Sequence, residues 1–141
     1  MNPIKHTLDL DASPAAAYRA VATPEGIKGW WCKDSDVSTD VGGDNELRFV
    51  KDGNPVTMKF RVDALDGERR VAWSCTDNAN PVWVGSTLTW EITPRDGGSR
   101  LTFTHDGFAA GGPPYEMTAE GWKHFMASLK SYADTGSGQP W

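Results

Sequence analysis

Three histidines, two cysteines and a scatter of carboxylates are the residues of this chain suited to chemistry. A nucleophilic mechanism needs a Ser, Cys or Thr beside a His that a third group orients. His6 and His105 both fall on the inward rows of alternating segments. If those segments are neighbours facing one cavity, the two imidazoles, with Asp106 or Cys75 nearby, would hold a metal or move a proton. No ligand pair has the H-x-x-x-H or C-x-x-C spacing of a metal site, and the plainer reading bonds each histidine to a backbone carbonyl at the core's edge. The expectation is therefore no metal, no cofactor and no catalytic residue. His124 projects from the polar side of a helix. Cys32 lacks the cationic setting that lowers a thiol pKa. Glu46 with Arg48, and Arg61 with Glu91, resemble acid–base pairs but sit on outward rows, where charges solvate or pair weakly. Gly111-Gly112-Pro113-Pro114 has no Lys-Ser/Thr ending and is no phosphate loop; it reads as a mobile lid with Phe108 and Tyr115 at its hinges.

Seven tryptophans are the larger signal, because such side chains need a thick core, a pocket or an interface. By strand parity and helical spacing, Phe60, Trp73, Trp90, Phe103, Trp122 and Phe125 point to one interior. Either they pack solidly, or they line a pocket that is mostly apolar with a few polar groups, the usual build of a ligand site. The expected lining is Trp31, Phe60, Trp73, Ser86, Trp90, Phe103, His105, Phe108, Tyr115, Trp122, Phe125 and Met126. Trp83, following Pro81-Val82, stands apart and guards a mouth or faces a partner chain.

The elements that must position these residues follow from periodicity. Ile4, His6, Leu8 and Leu10 alternate as a first strand. Ser13-Pro14 and Thr23-Pro24-Glu25 each open a short helix, the second carrying Ile27, Trp30 and Trp31. A weak alternation through Val37, Thr39 and Val41 predicts a hairpin into Leu47 and Phe49. Further inward rows are Met58, Phe60, Val62 and Ala64, then Val71, Trp73 and Cys75, then Val84, Ser86, Leu88, Trp90 and Ile92, then Leu101, Phe103 and His105. Asp52-Gly53, Asp66-Gly67 and Asp96-Gly97-Gly98 mark the turns. Between Thr118 and Asp134, Trp122, Phe125, Met126, Leu129, Tyr132 and Ala133 recur at helical spacing, with Thr118 as cap and Gly136 as stop. One apolar helical face needs one partner, here the concave face of an antiparallel sheet. Strands grouped together and helices segregated to one face make an α+β domain.

A chain of 141 residues suits one domain, read as 1–135, with 136–141 a loose tail. The net charge of −5, with cations spread along the chain, gives no footprint for nucleic acid. No run approaches the roughly 20 apolar residues of a membrane helix, and the N-terminus carries no signal-peptide core, so a cytoplasmic protein with no membrane insertion is expected. Two cysteines without C-x-x-C spacing read as free thiols.

Ser13-Pro14 with Tyr18, Thr23-Pro24-Glu25 before Trp30-Trp31, the strand Leu101 to Phe108, and Gly121-Trp122 in the last helix occur in one order across most of the chain. In that ordered set the chain resembles the START-like, or SRPBCC, superfamily with its helix-grip (Bet v 1-like) fold, and within it the branch of activator of heat-shock protein 90 ATPase homologues. The resemblance implies six or seven curved strands gripping the last helix and a deep cavity between them for a small apolar molecule. The function expected first is therefore binding of a hydrophobic or aromatic ligand without chemistry, by a monomer or homodimer. A cyclase- or hydrolase-like enzyme with His105 as base is the second expectation. Chaperone contact comes last, since the namesake's co-chaperone activity uses an N-terminal domain that these residues do not include.

Overall fold

A computed structural model describes residues 2–109 and 111–141. Seven strands form one antiparallel sheet: β1 (Ile4–Leu10), β2 (Ser35–Asp36), β3 (Asp44–Lys51), β4 (Asn54–Asp66), β5 (Arg70–Asn78), β6 (Thr87–Arg95) and β7 (Gly98–Asp106). Their order across the sheet is β1-β7-β6-β5-β4-β3-β2, so the first strand pairs with the last and every other neighbour is a sequence neighbour. Three helices lie on the sheet, α1 (Pro14–Ala22), α2 (Pro24–Trp30) and α3 (Pro113–Thr135). This is a helix-grip fold.

The short helices form where the cap chemistry dictates. Ser13 Oγ accepts the Ala16 N–H at 3.2 Å with Pro14 in the first helical position. Thr23 ends α1 and starts α2: its hydroxyl accepts the Gly26 N–H at 3.1 Å and donates to Arg19 O at 2.6 Å. A Cβ on Gly26 would stand 2.4 Å from Ala20 O, so this corner admits only glycine. The corner lets Trp30 Nε1 donate to Ala20 O at 2.7 Å and drop its ring into the core.

Four local readings are corrected. The hairpin expected through Val37 and Val41 reduces to the two-residue β2, with Ser35 opposite Leu47, and Val41 is exposed. Arg48 holds that short edge, pairing with Asp34 at 3.0 Å and Asp36 at 2.8 Å. The strand expected from Val84 starts at Thr87, because Pro81–Trp83 folds into a 3-10 turn capped by Asn80. Thr118 does not cap α3. Gly112, at φ 85°, takes the cap position, and Pro113 and Pro114 occupy the first turn, where missing N–H groups cost nothing. The helix therefore has 23 residues, about 34 Å. It ends as expected on Gly136 in the left-handed conformation, whose N–H reaches Tyr132 O at 2.8 Å. The segment expected to be a lid is thus partly helix, while Ala110 lies outside the described residues.

Residues 137–141 carry no regular structure but are tied down. Gln139 N–H donates to Ser128 Oγ at 2.7 Å, and Trp141 N–H donates to Trp31 O at 2.8 Å. The Trp141 ring meets Phe49 edge-on at 5.8 Å.

Candidate functional site

The predicted aromatic interior divides into two regions. The first is closed. Trp31, Phe60, Trp73, Trp90, Phe103 and Trp122 interlock in a chain of rings, with centroids 5.9 Å apart for Trp31–Trp73, 5.1 Å for Trp73–Trp90, 5.5 Å for Trp90–Phe103 and 4.4 Å for Phe103–Trp122. Phe60, Trp73, Trp90, Phe103 and Met126 are fully buried and stand outside the lining of the open cavity described next. These five expected lining residues are packing residues: the rings of Trp30, Trp31 and Trp122 lie directly against the inward rings of β4 to β7 and fill the space above them.

The second region is open. Toward the start of α3 a cavity of about 550 Å³ opens between the helix, the β3–β4 hairpin, the end of β5 and the 3-10 turn. Its walls include Trp31, Trp83, Trp122, Phe49, Phe125, Val56, Met58, Met117 and Trp141, with Pro114 at the top and Gly121 on the helix face. Of the expected lining, only Trp31, Trp122 and Phe125 are here. Parity had placed Phe49 and Met58 on inward rows, and the Pro81-Val82 entry before Trp83 had put that ring either at a mouth or against a partner chain. No sequence signal marked Asn78 or the returning Trp141.

Between the regions lies a buried polar chain. Trp122 Nε1 donates to His105 Nδ1 at 3.0 Å, which leaves the ring proton on Nε2, facing Ser86 Oγ at 2.8 Å. Ser86 Oγ donates to Trp83 O at 2.5 Å. On the other side Trp83 Nε1 donates to Thr118 Oγ1 at 2.9 Å, and that hydroxyl donates to Pro114 O at 2.9 Å. Every donor has an acceptor. The chain ties β7, the 3-10 turn and α3 into one wall of the cavity.

His105 is fully buried, and burial drives its pKa down to about 3. Its lone pair is occupied by the Trp122 N–H, its own proton faces Ser86, and neither residue's polar atom opens on the cavity. That geometry suits a neutral structural histidine and not the base expected from sequence. Phe108 and Tyr115 pack on its far side, with ring centroids 4.2 Å for His105–Phe108 and 5.1 Å for Phe108–Tyr115, and the Tyr115 hydroxyl donates to Asn2 O. His6 is half-buried on neighbouring β1, opposite Phe103, its pKa lowered by burial and by Lys123. The two histidines are on adjacent strands, yet among the described residues no group of three or more His, Cys, Asp or Glu could hold a metal. Cys32 and Cys75 are buried thiols whose pKa values burial raises, to about 11 for Cys75.

Electrostatically the cavity is nearly neutral: Lys51 at the β3 tip is the one charged side chain in its lining, and Asn78 and Asn80 are the polar residues on its sheet side. Among the described residues no helix is long and apolar enough to cross a membrane.

Comparison with known proteins agrees with this geometry. The family model for "Activator of Hsp90 ATPase homolog 1-like protein" matches residues 11–134. Among solved structures the chain is similar to the Aha1 dimer from Colwellia psychrerythraea, at 26% identity and TM-score 0.79, with 98% of this chain and 100% of that one covered. It is also similar to a Chromobacterium violaceum protein at 20% identity and TM-score 0.77, covering 95% and 99% of the two chains. A Rhizobium loti protein aligns at 24% identity and TM-score 0.76, covering 92% and 94%. The latter two bear on the fold alone. No curated protein matches the sequence.

Proposed function

The chain belongs to the activator of Hsp90 ATPase homolog 1-like family, which has the helix-grip fold of ligand-binding domains, and from that premise we propose that it binds a small, largely apolar molecule in the open cavity beneath the first half of α3. The observation that carries this reading is the cavity itself. At about 550 Å³ it falls within the roughly 300–1,000 Å³ usual for small-molecule sites, and its walls are indole, phenyl and thioether groups. A rigid sheet on one side and the pinned Trp83 on the other hold those rings apart before any guest arrives, which spares the cost of ordering them on binding. The reaction chemistry of an enzyme is not needed for this role.

The test is titration with 2-ethylnaphthalene, followed by the indole N–H resonances. Those of Trp31, Trp83, Trp122 and Trp141 should move, while those of Trp73 and Trp90 in the closed core move least. A Cβ at Gly121 would meet no atom within 4 Å, so Gly121→Leu projects into free space and should abolish binding without unfolding the helix. Shifts spread evenly over all the indoles, or binding indifferent to the Gly121 variant, would remove the proposal.

A further inference from the structure

The walls of the cavity differ in what holds them. Trp31 and Trp122 are buried in the core, Trp83 is pinned through Thr118, and Phe49 and Met58 sit in paired strands. Trp141 is carried by residues 137–141, a segment outside every helix and strand in which no residue is buried. The hydrogen bonds that dock this segment use its main chain. Ser131 Oγ donates to Ser137 O at 2.6 Å, Gln139 N–H donates to Ser128 Oγ at 2.7 Å, and His124 Nε2–H donates to Gln139 O at 3.1 Å. Trp141 N–H donates to Trp31 O at 2.8 Å, and Trp141 O accepts the Lys33 N–H at 3.3 Å. Gly138 permits the fit: a Cβ there would stand 2.5 Å from Gly29 O and 3.0 Å from Ser128 Oγ, so the segment lies directly on α2 and α3. The Trp141 indole is spent differently. It is 51% exposed, meets Phe49 edge-on and borders the cavity.

A segment with no buried side chain, held by main-chain hydrogen bonds near solvent, opens at low free energy. Gly136, left-handed at φ 87°, supplies a hinge where α3 ends. We infer that residues 137–141 are a strap that closes over the bound molecule and is held down by it. This rests on the cavity reading above and adds its regulation. The guest meets the Trp141 ring only while the strap is docked, so the factor by which that contact raises affinity is also the factor by which the guest stabilises the docked strap. For one aromatic face on another it is about two- to tenfold. Whatever lifts the strap loosens the guest by as much.

The experiment uses 2-ethylnaphthalene and reads amide hydrogen exchange beside affinity. In the wild type, saturating probe should slow exchange of the Gln139 and Trp141 amides about two- to tenfold. Gly138→Val cannot seat against Gly29 O, so those two amides should exchange freely and the probe should bind more weakly, by the same factor as the wild-type protection. Trp141→Ala keeps the main-chain docking and removes the ring; it should lose the same affinity, and the probe should no longer protect Gln139. Where Gly138→Val is poorly folded, the exchange data on the wild type and Trp141→Ala decide the matter. A probe that binds and moves the Trp31 and Trp122 resonances without slowing exchange at Gln139 and Trp141 overturns the strap and leaves the cavity standing. Tighter binding by Gly138→Val also overturns it, because the segment would then compete with the guest. Equal protection of Gln139 in Trp141→Ala removes the ring's part in the coupling and with it the inference. No binding to the wild type takes down both the strap and the cavity reading.

Discussion

The two aromatic regions of this protein are built from the same residue types and differ in what covers them. In the closed region, rings from β4 to β7 meet rings from α2 and α3 with centroids mostly between 4.4 and 5.9 Å, and dispersion contacts are made on every side. In the open region the β3–β4 hairpin and the first half of α3 leave a gap, and the rings of Phe49, Trp83, Phe125 and Trp141 border the cavity on one side. An aromatic residue therefore signals neither a pocket nor a core by itself. What decides is whether an opposing element is near enough to fill the space, and here that changes along one helix.

The comparison predicts unequal responses to mutation. The largest belongs to the closed region: Trp90→Ala should cost about 3–5 kcal/mol in chemical denaturation, since a fully enclosed indole leaves a cavity its neighbours cannot fill. Phe125→Ala, half-buried at the cavity wall, should cost distinctly less while weakening probe binding. Equal losses would mean that the two regions are energetically one.

Next comes the boundary. His105 has a folded pKa of about 3 against an ordinary 6.5, so below pH 6.5 the unfolded chain binds a proton that the folded chain does not. Stability from this residue is fully present above 6.5 and is lost as pH falls toward 3. Between pH 6.5 and 4.5, above most carboxylate titration, the loss should be about 2–3 kcal/mol. His6, also lowered, adds to the slope in the same direction. His105→Asn should flatten the profile; a wild-type denaturation midpoint indifferent to pH across that window would show that His105 is not held neutral.

Thr118→Val comes third. It leaves the Trp83 indole N–H without its acceptor and should cost roughly 1–3 kcal/mol, with a change in the Trp83 N–H shift and weaker binding of naphthalene probes. The smallest effect is Gly121→Leu, which should raise thermal stability slightly, by roughly 0.5–1 kcal/mol for replacing a mid-helix glycine, even as it blocks the cavity. A destabilised Gly121→Leu would mean the space beside it is not free.

Much of the scaffold was legible because local chemistry set it. Ser13, Thr23 and Gly136 act at the helix ends their types suggest, and the alternating rows of β1 and β5 to β7 face the interior as period two requires; in β4 the row holds from Met58 to Val62, after which a bulge puts Leu65 and not the expected Ala64 opposite the inward Val71. The start of α3 was misplaced because two prolines after a glycine look like loop until the first-turn geometry is seen. The candidate site was less legible. Parity states which face of a strand a residue occupies and not how far away the opposite wall is, so Trp73 and Phe60 could not be told apart from Phe49 and Met58. Trp141 reaches Phe49 and Trp31 only through the path of the tail, which carries no periodicity.

Taken alone, the order of amino acids determined the elements, their inward rows and the grip of a sheet on one long helix, because each depends on neighbours within a few residues. Tertiary structure alone decided where that grip tightens and where it gaps. It also brought Trp141 to the gap and kept the occupied His105 ring out of it, since those outcomes depend on distances between residues far apart in the chain.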